Sequence, residues 1–313
     1  MVRNRPDIPW TKLGVGAELV ARMIPPRTPP VLLLSLPRSG SSWVGEMLGY
    51  PGDALYLREP VTQAARRAGI QDGAVAYVEP GAPSQMHRTA AARAFHGVPR
   101  FRGNTVAFPR RWGLRKRAKK RVIIKEVNPL AAEWLIGTYR PRVILLSRHP
   151  AAVAASYDGL GWNGIRPWET FLRHQRLADG RLAPWAKALA GVEDFWEYEG
   201  LRQGALLYLA HRATERASEV VWTSYEQLCA DPRHEFRRLA EFSGIHWGRA
   251  AEQRILEKGQ VSDGRDFGTS RNTSSMPDRW RRRVDGASLE RLRDAYWRFP
   301  LPCYQKHEEW QKD

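Results

Sequence analysis

The chain has 313 residues, of which 42% are hydrophobic and 27% are charged, a balance that excludes a wholly disordered protein. Its net charge of +17 predicts an anionic partner, such as a nucleotide, a polyanionic sugar, a nucleic acid or a membrane surface. The two cysteines, Cys229 and Cys303, form neither a metal-binding spacing nor a disulfide framework.

The first 30 residues contain scattered Arg, Lys and Pro, without an apolar run long enough for a signal peptide or a membrane span. We therefore expect an extended N-terminal arm over residues 1–30 and a single domain over residues 31–313. No apolar run elsewhere reaches spanning length, which predicts a soluble, cytoplasmic protein. Its basic faces could still contact an anionic glycan or a membrane surface.

The motif that organises the chain is the stretch from Val31 to Trp43, with the sequence VLLLSLPRSGSSW. Four apolar residues suited to a buried strand lead into a tight polar turn, and a helix opens after it. Such a turn binds phosphate, since the helix dipole and the first backbone N–H groups attract an anion. Arg38 and the serine hydroxyls after it add donors. The nucleotide-triphosphate loop requires Lys after its second Gly, but Ser41 follows Gly40, so we expect a phosphate ligand other than ATP.

A second short strand, residues 54–58, ends at Glu59, directly before Pro60. A carboxylate at a strand end suits acid–base chemistry, and the alternative is a surface salt bridge with Arg58. Residues 66–117 favour an irregular basic insertion with short helices. The charged residues between 110 and 121 are predicted to be exposed, and they form either a solvated surface or a binding site for a polyanion.

Regular alternation of strands and helices follows. Residues 122–125 and 143–147 read as buried strands, with a helix over 130–138 between them and another over 151–157. This pattern predicts a P-loop-like three-layer α/β/α fold with a mostly parallel central sheet and helical insertions. Ligands of such sheets bind beyond the carboxyl ends of the strands, where we expect Arg38, Lys125 and Arg148 to converge.

The C-terminal half reads as mainly helical over residues 163–218, followed by a strand at 220–222 and a helix capped by Asp231 that runs to about residue 243. A polar loop over 260–277 and a final helix over 289–297 complete the chain. We interpret four tryptophans of this half as packing residues, with a platform for a sugar ring as the alternative: Trp162, Trp168, Trp185 and Trp196.

Five elements between residues 31 and 281 resemble, in order, those of one enzyme family. They are Leu36–Trp43, Tyr56–Pro60, Arg148-His149-Pro150 with Ser156, Tyr225–Leu228 with Asp231-Pro232, and Thr269–Asn272 with Trp280-Arg281. The family is the sulfotransferases that use 3'-phosphoadenosine 5'-phosphosulfate (PAPS), and the resemblance is closest to the carbohydrate 6-O-sulfotransferase branch. Arg38 stands where other branches carry Lys, and Gln227 departs from the family's Tyr-Glu-Asp-Leu element.

The resemblance implies that PAPS is the donor substrate, that PAP is the product, and that no metal is needed. It implies that Arg148 and Ser156 bind the 3'-phosphate. The residues expected to bind the donor are Pro37, Arg38, Ser39, Gly40, Ser41, Ser42, Trp43, Arg148, Ser156, Tyr225, Thr269, Ser270, Arg271 and Asn272.

Sulfuryl transfer builds charge on the leaving phosphate and on the sulfonate oxygens, and we expect Arg38 and Lys125 to meet that charge. The base of the small-molecule branches, a His two residues after the strand-end Lys, is replaced by Val127. Since carbohydrate branches use a carboxylate, the resemblance favours Glu59 as the catalytic base, with Glu126 as the alternative. His149 is interpreted as a structural residue.

The expected acceptor is a hydroxyl on a small molecule, a glycan or a glycolipid, and a phenol, alcohol or lipid stays open. Two other functions stay open. A P-loop kinase would carry Lys after Gly40 and Mg²⁺-binding acids. A nucleic-acid-binding protein would explain the charge, but no helix-turn-helix, zinc-finger or RNA-binding signature is present, so no nucleic-acid partner is expected.

Overall fold

The central element is one parallel sheet. The computed structural model describes residues 15–71, 73–98, 101, 104–114, 116–260 and 276–311. Its strands in these ranges are β1 (Arg27–Ser35), β2 (Ala54–Arg58), β3 (Arg121–Glu126), β4 (Arg142–Ser147) and β5 (Val220–Ser224). Their order is β2-β3-β1-β4-β5, and every neighbouring pair runs parallel.

Helices connect and cover the strands. Asp194, Asp231 and Asp285 begin three of them by accepting a backbone N–H of the first turn. Short 3₁₀ and π segments occur between residues 109 and 119 and between 168 and 185. The α-helices in the described ranges are α1 (Val15–Met23), α2 (Ser41–Leu48), α3 (Pro60–Arg67), α4 (Gln85–Phe95), α5 (Ala132–Tyr139), α6 (Pro150–Asp158), α7 (Ala186–Ala190), α8 (Phe195–Thr214), α9 (Tyr225–Ala230), α10 (Pro232–Ser243), α11 (Arg249–Gln260) and α12 (Gly286–Tyr296).

Strands β2, β3 and β4 and most of β1 are buried, as expected of parallel strands rich in Val, Ile and Leu, whereas the edge strand β5 is partly exposed. Leu32 and Leu34 of β1 pack with residues of α4, α5 and α8 on one face. Val31 and Leu33 pack with residues of α2, α9 and α10 on the other. The expected three-layer α/β/α fold with a mostly parallel sheet is therefore confirmed.

The central strand β1 lies between β3 and β4, which come later in the chain. After β1, the chain forms β2 and β3 on one side of this strand. It then crosses to the other side of β1, where it forms β4 and β5. In open parallel sheets, ligands bind at such a switch point, outside the carboxyl ends of the strands. The loop after β1 occupies this position.

Two predictions about the N-terminal part were wrong. Residues 15–23 form helix α1 instead of an extended arm, and β1 begins at Arg27 instead of Val31. The early start is possible because the pairing of β1 with β3 is irregular between Arg27 and Val31, so the intervening prolines need not donate to the ladder.

The basic segment is less exposed than its composition suggests. Arg117 is buried, and its guanidinium donates to the backbone carbonyls of Ile24 and Gly97. Arg121 is also buried, as the first residue of β3. Arg110, Lys116 and Lys119 are exposed as expected.

The packing interpretation of the four tryptophans is correct only in part. Trp185 and Trp196 are partly buried against the helical cluster of α6, α8 and α12. Trp162 and Trp168 are instead 45% and 65% exposed, so they are surface residues. In the described ranges, no helix combines the length and the apolar character needed to cross a membrane.

Candidate active site

The loop after β1 opens helix α2 without a side-chain cap. Gly40 is the N-cap residue in the left-handed conformation (φ 85°, ψ 2°), and within the described part of the chain no side chain caps the first N–H groups of α2. The exposed hydroxyl of Ser42 lies in the first turn. An uncapped helix N-terminus is an anion-binding site, since its N–H groups and its dipole both attract negative charge.

Gly40 is required by space as well as by backbone conformation. A Cβ atom at this position would lie 2.4 Å from the Cδ2 atom of Tyr225, closer than two carbon atoms approach. Tyr225, the first residue of α9, is buried, and the guanidinium of Arg148 lies over its ring at 4.6 Å. The ring of Tyr225 therefore supports both the loop and Arg148.

Arg38, Arg148 and Ser156 form one linked cluster. Arg38 Nε donates to Ser156 Oγ at 2.9 Å, and Arg148 Nη1 donates to the backbone carbonyl of Arg38 at 2.9 Å. Arg148 Nε is buried and has no hydrogen-bond acceptor among the described residues. A buried donor without an acceptor is costly, so this atom suits an anionic ligand. From the sequence, Arg38 was expected to act with Lys125 on the charge of the transferred group. In the structure, Arg38 instead contacts Arg148 and Ser156, the two residues expected to bind the 3'-phosphate.

Lys125 connects the loop to the expected base. Its Nζ atom donates to Ser42 Oγ at 3.2 Å and to Glu59 Oε1 at 2.5 Å, and its side chain is 5% exposed. The strand pairing explains the meeting, because Lys125 lies opposite Leu33 of β1 and Arg58 of β2. The expected convergence of Arg38, Lys125 and Arg148 takes the form of two groups of contacts: Arg148 contacts Arg38, and Lys125 contacts Ser42 and Glu59. The alternative was a surface salt bridge between Glu59 and Arg58, but Glu59 pairs with Lys125, and Arg58 lies 3.9 Å from Glu46.

The backbone and the charge of Glu59 are both unusual. Its φ and ψ angles are both 49°, a left-handed conformation that costs energy in a residue other than Gly and is common at functional sites. Burial raises the pKa of Glu59, but a larger opposing effect brings the pKa below its usual value. This effect comes from the charge and hydrogen bond of Lys125, a hydrogen bond from Gln63 and the charge of Arg66. Glu59 is therefore a carboxylate at neutral pH and can accept a proton.

Glu126 is directed away from this group. It is buried, and its two carboxylate oxygens accept the backbone N–H of Val61 at 2.7 Å and the hydroxyl of Thr62 at 2.6 Å. Burial raises the pKa of Glu126 to about 7, although these hydrogen bonds oppose the rise. The contacts of Glu126 are those of a group that stabilises the N-terminus of α3.

His149 has a structural environment, as the sequence suggested. Its Nδ1 accepts the backbone N–H of Ala151 at 3.2 Å, and its Nε2 donates to the carbonyl of Glu309 at 2.9 Å, an assignment of the proton made from these partners. The ring stacks on Trp280 at 4.3 Å. Burial lowers the pKa of His149 to about 3, so the imidazole is neutral.

The other predicted donor-binding residues have different surroundings. Ser39, Ser41 and Trp43 are buried, and Trp43 packs edge-on against Tyr225 and Phe236 in the core. Pro37 is half-buried in the loop. The predicted donor-covering segment, Thr269, Ser270, Arg271 and Asn272, lies outside the described residues.

Sequence reasoning assigned no role to three supporting residues. Gln63 donates to Glu59 at 3.2 Å, and its position one helical turn later was the available signal. Glu226 accepts the backbone N–H of His149 and the hydroxyl of Tyr304, so it fixes the turn that carries Arg148. Gln227 forms a capping box with Ser224, which gives its departure from the family pattern a local function.

Residues 29–249 match the model of the sulfotransferase family. The chain belongs to this family. It is a sulfotransferase enzyme. The matched range contains the loop after β1, Glu59, Lys125, the Arg148 cluster and Tyr225. No curated protein sequence matches this sulfotransferase.

Solved structures similar to this sulfotransferase have low sequence identity to it. The sulfotransferase domain from the curacin biosynthetic pathway is 17% identical, with 90% of this chain and 95% of that chain covered and a TM-score of 0.44. The sulfotransferase domain of a Synechococcus olefin synthase is 14% identical, with 89% and 97% covered and a TM-score of 0.44. A mouse sulfotransferase complexed with PAP is 12% identical, with 92% and 91% covered and a TM-score of 0.44.

Proposed function

We propose that this sulfotransferase transfers the sulfuryl group of PAPS to a hydroxyl of a carbohydrate or glycosylated acceptor, with Glu59 as the base. The observation that carries the proposal is the position of Lys125, whose ammonium contacts Ser42 of the phosphate-binding loop and Glu59 at once. One cation thus joins an anion site to a carboxylate. Sulfuryl transfer to a hydroxyl requires both groups.

In this proposal, the two phosphate-bearing ends of PAPS bind at different groups. The N-terminus of α2 and the hydroxyl of Ser42 would bind the 5'-phosphosulfate, since they offer uncapped donors. Arg148 and Ser156 would bind the 3'-phosphate, together with Arg38, which is hydrogen-bonded to Ser156. The buried Nε of Arg148 supports this assignment, because a phosphate oxygen would supply the acceptor that it lacks among the described residues.

The proposed transfer is a single in-line displacement. The acceptor oxygen forms a bond to sulfur as the bond between sulfur and the bridging phosphate oxygen breaks, which leaves PAP. The acceptor proton moves to the carboxylate of Glu59. Lys125 would neutralise the charge that develops on the bridging oxygen. When Lys125 contacts the donor, its ion pair with Glu59 weakens. The pKa of Glu59 then rises, which makes this carboxylate a more effective base.

The carbohydrate class of the acceptor rests on the resemblance of Tyr56–Pro60 and Tyr225–Leu228 to the carbohydrate 6-O branch. It rests also on the proposed base, which is the carboxylate of Glu59, whereas the position of the small-molecule branches' catalytic His is Val127. The exposed rings of Trp162 and Trp168 are compatible with a sugar, because an exposed indole offers a flat apolar face.

The test is incubation with PAPS and a panel of sugar, phenol, alcohol and lipid acceptors, followed by mass spectrometry for the gain of one sulfonate. We expect a sugar hydroxyl to be modified, and the variant Glu59→Gln to bind PAP but give no product. A matched incubation with ATP should give no phosphorylated product. Modification of phenols alone would reject the carbohydrate class, and transfer from ATP would reject PAPS as the donor.

A further inference from the structure

A cavity of about 560 Å³ opens at the outer edge of β2, and its lining includes Arg58, the residue before the proposed base. Glu46, Arg58 and the segment 107–111 line it. The segment runs antiparallel along β2, where Ala107 N donates to Tyr56 O and Thr105 O accepts the N–H of Arg58. The volume is that of a site for a small ligand.

Two residues of the cavity lining are close in the chain to the proposed catalytic group. Arg58 directly precedes Glu59 and lies opposite Lys125 in the paired strands. Glu46 lies one helical turn after Ser42 on α2, and side chains at this spacing are about 5–6 Å apart. A molecule that presents a hydroxyl to Glu59 could therefore extend into the cavity.

The described lining carries more positive than negative charge. It has three guanidiniums, from Arg58, Arg110 and Arg111, and one carboxylate, from Glu46. That carboxylate is shared, since Arg58 Nη2 lies 3.9 Å and Arg254 Nη2 lies 3.5 Å from it. Arg110 is exposed and forms no ion pair with the described residues. The cavity can thus accept another negative charge.

One wall of the cavity is apolar and held in place. Ala107, Phe108 and Pro109 form this wall. The guanidinium of Arg111 lies over the ring of Phe108 at 4.3 Å, and Arg111 Nη1 donates to the carbonyl of Gly49 at 2.7 Å. This contact fixes the ring beside the charged groups. A fixed aromatic face next to arginines suits a ring that bears an anionic substituent.

We infer that this cavity binds an acidic group of the acceptor, a carboxylate, sulfate or phosphate on the ring that is sulfated or on its neighbour. The inference rests on the proposed function and narrows its acceptor to an anionic carbohydrate. Arg58 and Arg110 would bind the acidic group, and Phe108 would contact the ring. The donor phosphates bind elsewhere, at α2 and Arg148.

The experiment measures binding of a uronic acid glycoside and of its methyl ester by calorimetry, on enzyme saturated with PAP. Because PAP occupies the donor phosphate sites, the carboxylate of the uronic acid can bind only at other sites. The methyl ester lacks this negative charge but keeps every hydroxyl of the acid. We expect the acid to bind about 10-fold more tightly than the ester, the value of one charge-assisted hydrogen bond. The variants Arg58→Gln and Arg110→Gln should each reduce this preference. Arg233→Gln, an exposed site on α10, makes the same charge change and should keep it.

Equal affinity for acid and ester, no measurable binding of the acid, or an equal loss in all three variants would overturn the inference. Arg110→Gln guards against a folding defect, because Arg110 is exposed. The proposed function is tested separately by transfer from PAPS. If neutral and acidic sugars are sulfated equally well, only the anionic preference fails, and if PAPS supports no transfer, the proposed function itself fails.

Discussion

Glu126, and not Glu59, binds the N-terminus of α3, although Glu59 is the N-cap residue of that helix. The side chain of an N-cap residue ordinarily accepts the first N–H groups of its helix. Here the carboxylate of Glu126, from the end of β3, performs this function, and that of Glu59 pairs with Lys125. Two neighbouring carboxylates are thus separated into a helix-stabilising group and a group at the proposed reaction site.

Glu59→Gln should reduce kcat by at least about 100-fold, because the amide cannot accept the acceptor proton. PAP should bind with unchanged affinity. Steady-state kinetics and calorimetry check the two expectations. Glu126→Gln is the matched control, since it removes the neighbouring carboxylate but keeps an oxygen for Val61, and it should stay active. A severe loss in Glu126→Gln together with normal turnover in Glu59→Gln would reverse the two roles.

Lys125→Met should move the acidic limb of the kcat/KM profile to higher pH. Burial raises the pKa of Glu59, and Lys125 is the largest of the groups that lower it, so removal of the ammonium raises it. As the proposed base, Glu59 acts in its carboxylate form, so a higher pKa means that activity is lost at a higher pH. Lys125→Arg keeps the charge and should leave the limb near its original position. A limb that does not move in Lys125→Met would separate Lys125 from the titration of Glu59.

Arg148→Ala should weaken binding of PAP by about 10- to 100-fold, the loss of a hydrogen bond between charged groups at about 1.5–3 kcal/mol. Adenosine 5'-phosphosulfate, which lacks the 3'-phosphate, should bind as well as before. Calorimetry with both ligands measures the difference. Because Arg148 also contacts Tyr225 and the carbonyl of Arg38, an equal loss for both ligands would instead assign Arg148 to support of the loop.

His149 should make the folded protein less stable in acid. Burial lowers the pKa of His149 to about 3, against 6.5 for an ordinary His, so the unfolded chain binds the proton more readily. Its contribution to stability is fully present above pH 6.5 and is lost as the pH falls toward 3. The slope approaches about 1.4 kcal/mol per pH unit for one proton. Urea unfolding between pH 7 and pH 5 should show a smaller slope in His149→Asn, whereas the exposed-site variant His234→Asn should keep the parent slope.

The sheet could be predicted from the sequence because its strands are apolar on both faces. The runs at residues 122–125 and 143–147 have no other stable location than a buried parallel sheet. The meeting of Lys125 with the loop after β1 follows from the same rule, since the carboxyl ends of parallel strands share one edge. The fold and the approximate location of the site thus depend on local patterns.

The contacts that decide individual roles could not be predicted, because they join residues far apart in the chain. Nothing near Arg117 in the sequence indicates the carbonyls of Ile24 and Gly97 that allow its burial. Glu126 caps α3 in place of the N-cap residue Glu59. This arrangement depends on the left-handed conformation of Glu59 and on the register of β2 against β3. The hydrogen bond from Arg38 to Ser156 joins the loop after β1 to helix α6, across 118 residues of sequence.

The edge position of β2 has an evolutionary consequence. The groups proposed to hold the donor surround the central strand β1, where a substitution would disturb strands on both sides. The segment 105–111 covers the outer edge of β2, and its Arg111 donates to the carbonyls of Gly49 and Pro51, just after α2. Selection could therefore diversify the choice of acceptor through this segment while sulfuryl transfer itself stays unchanged, so that one donor site serves enzymes with different substrates.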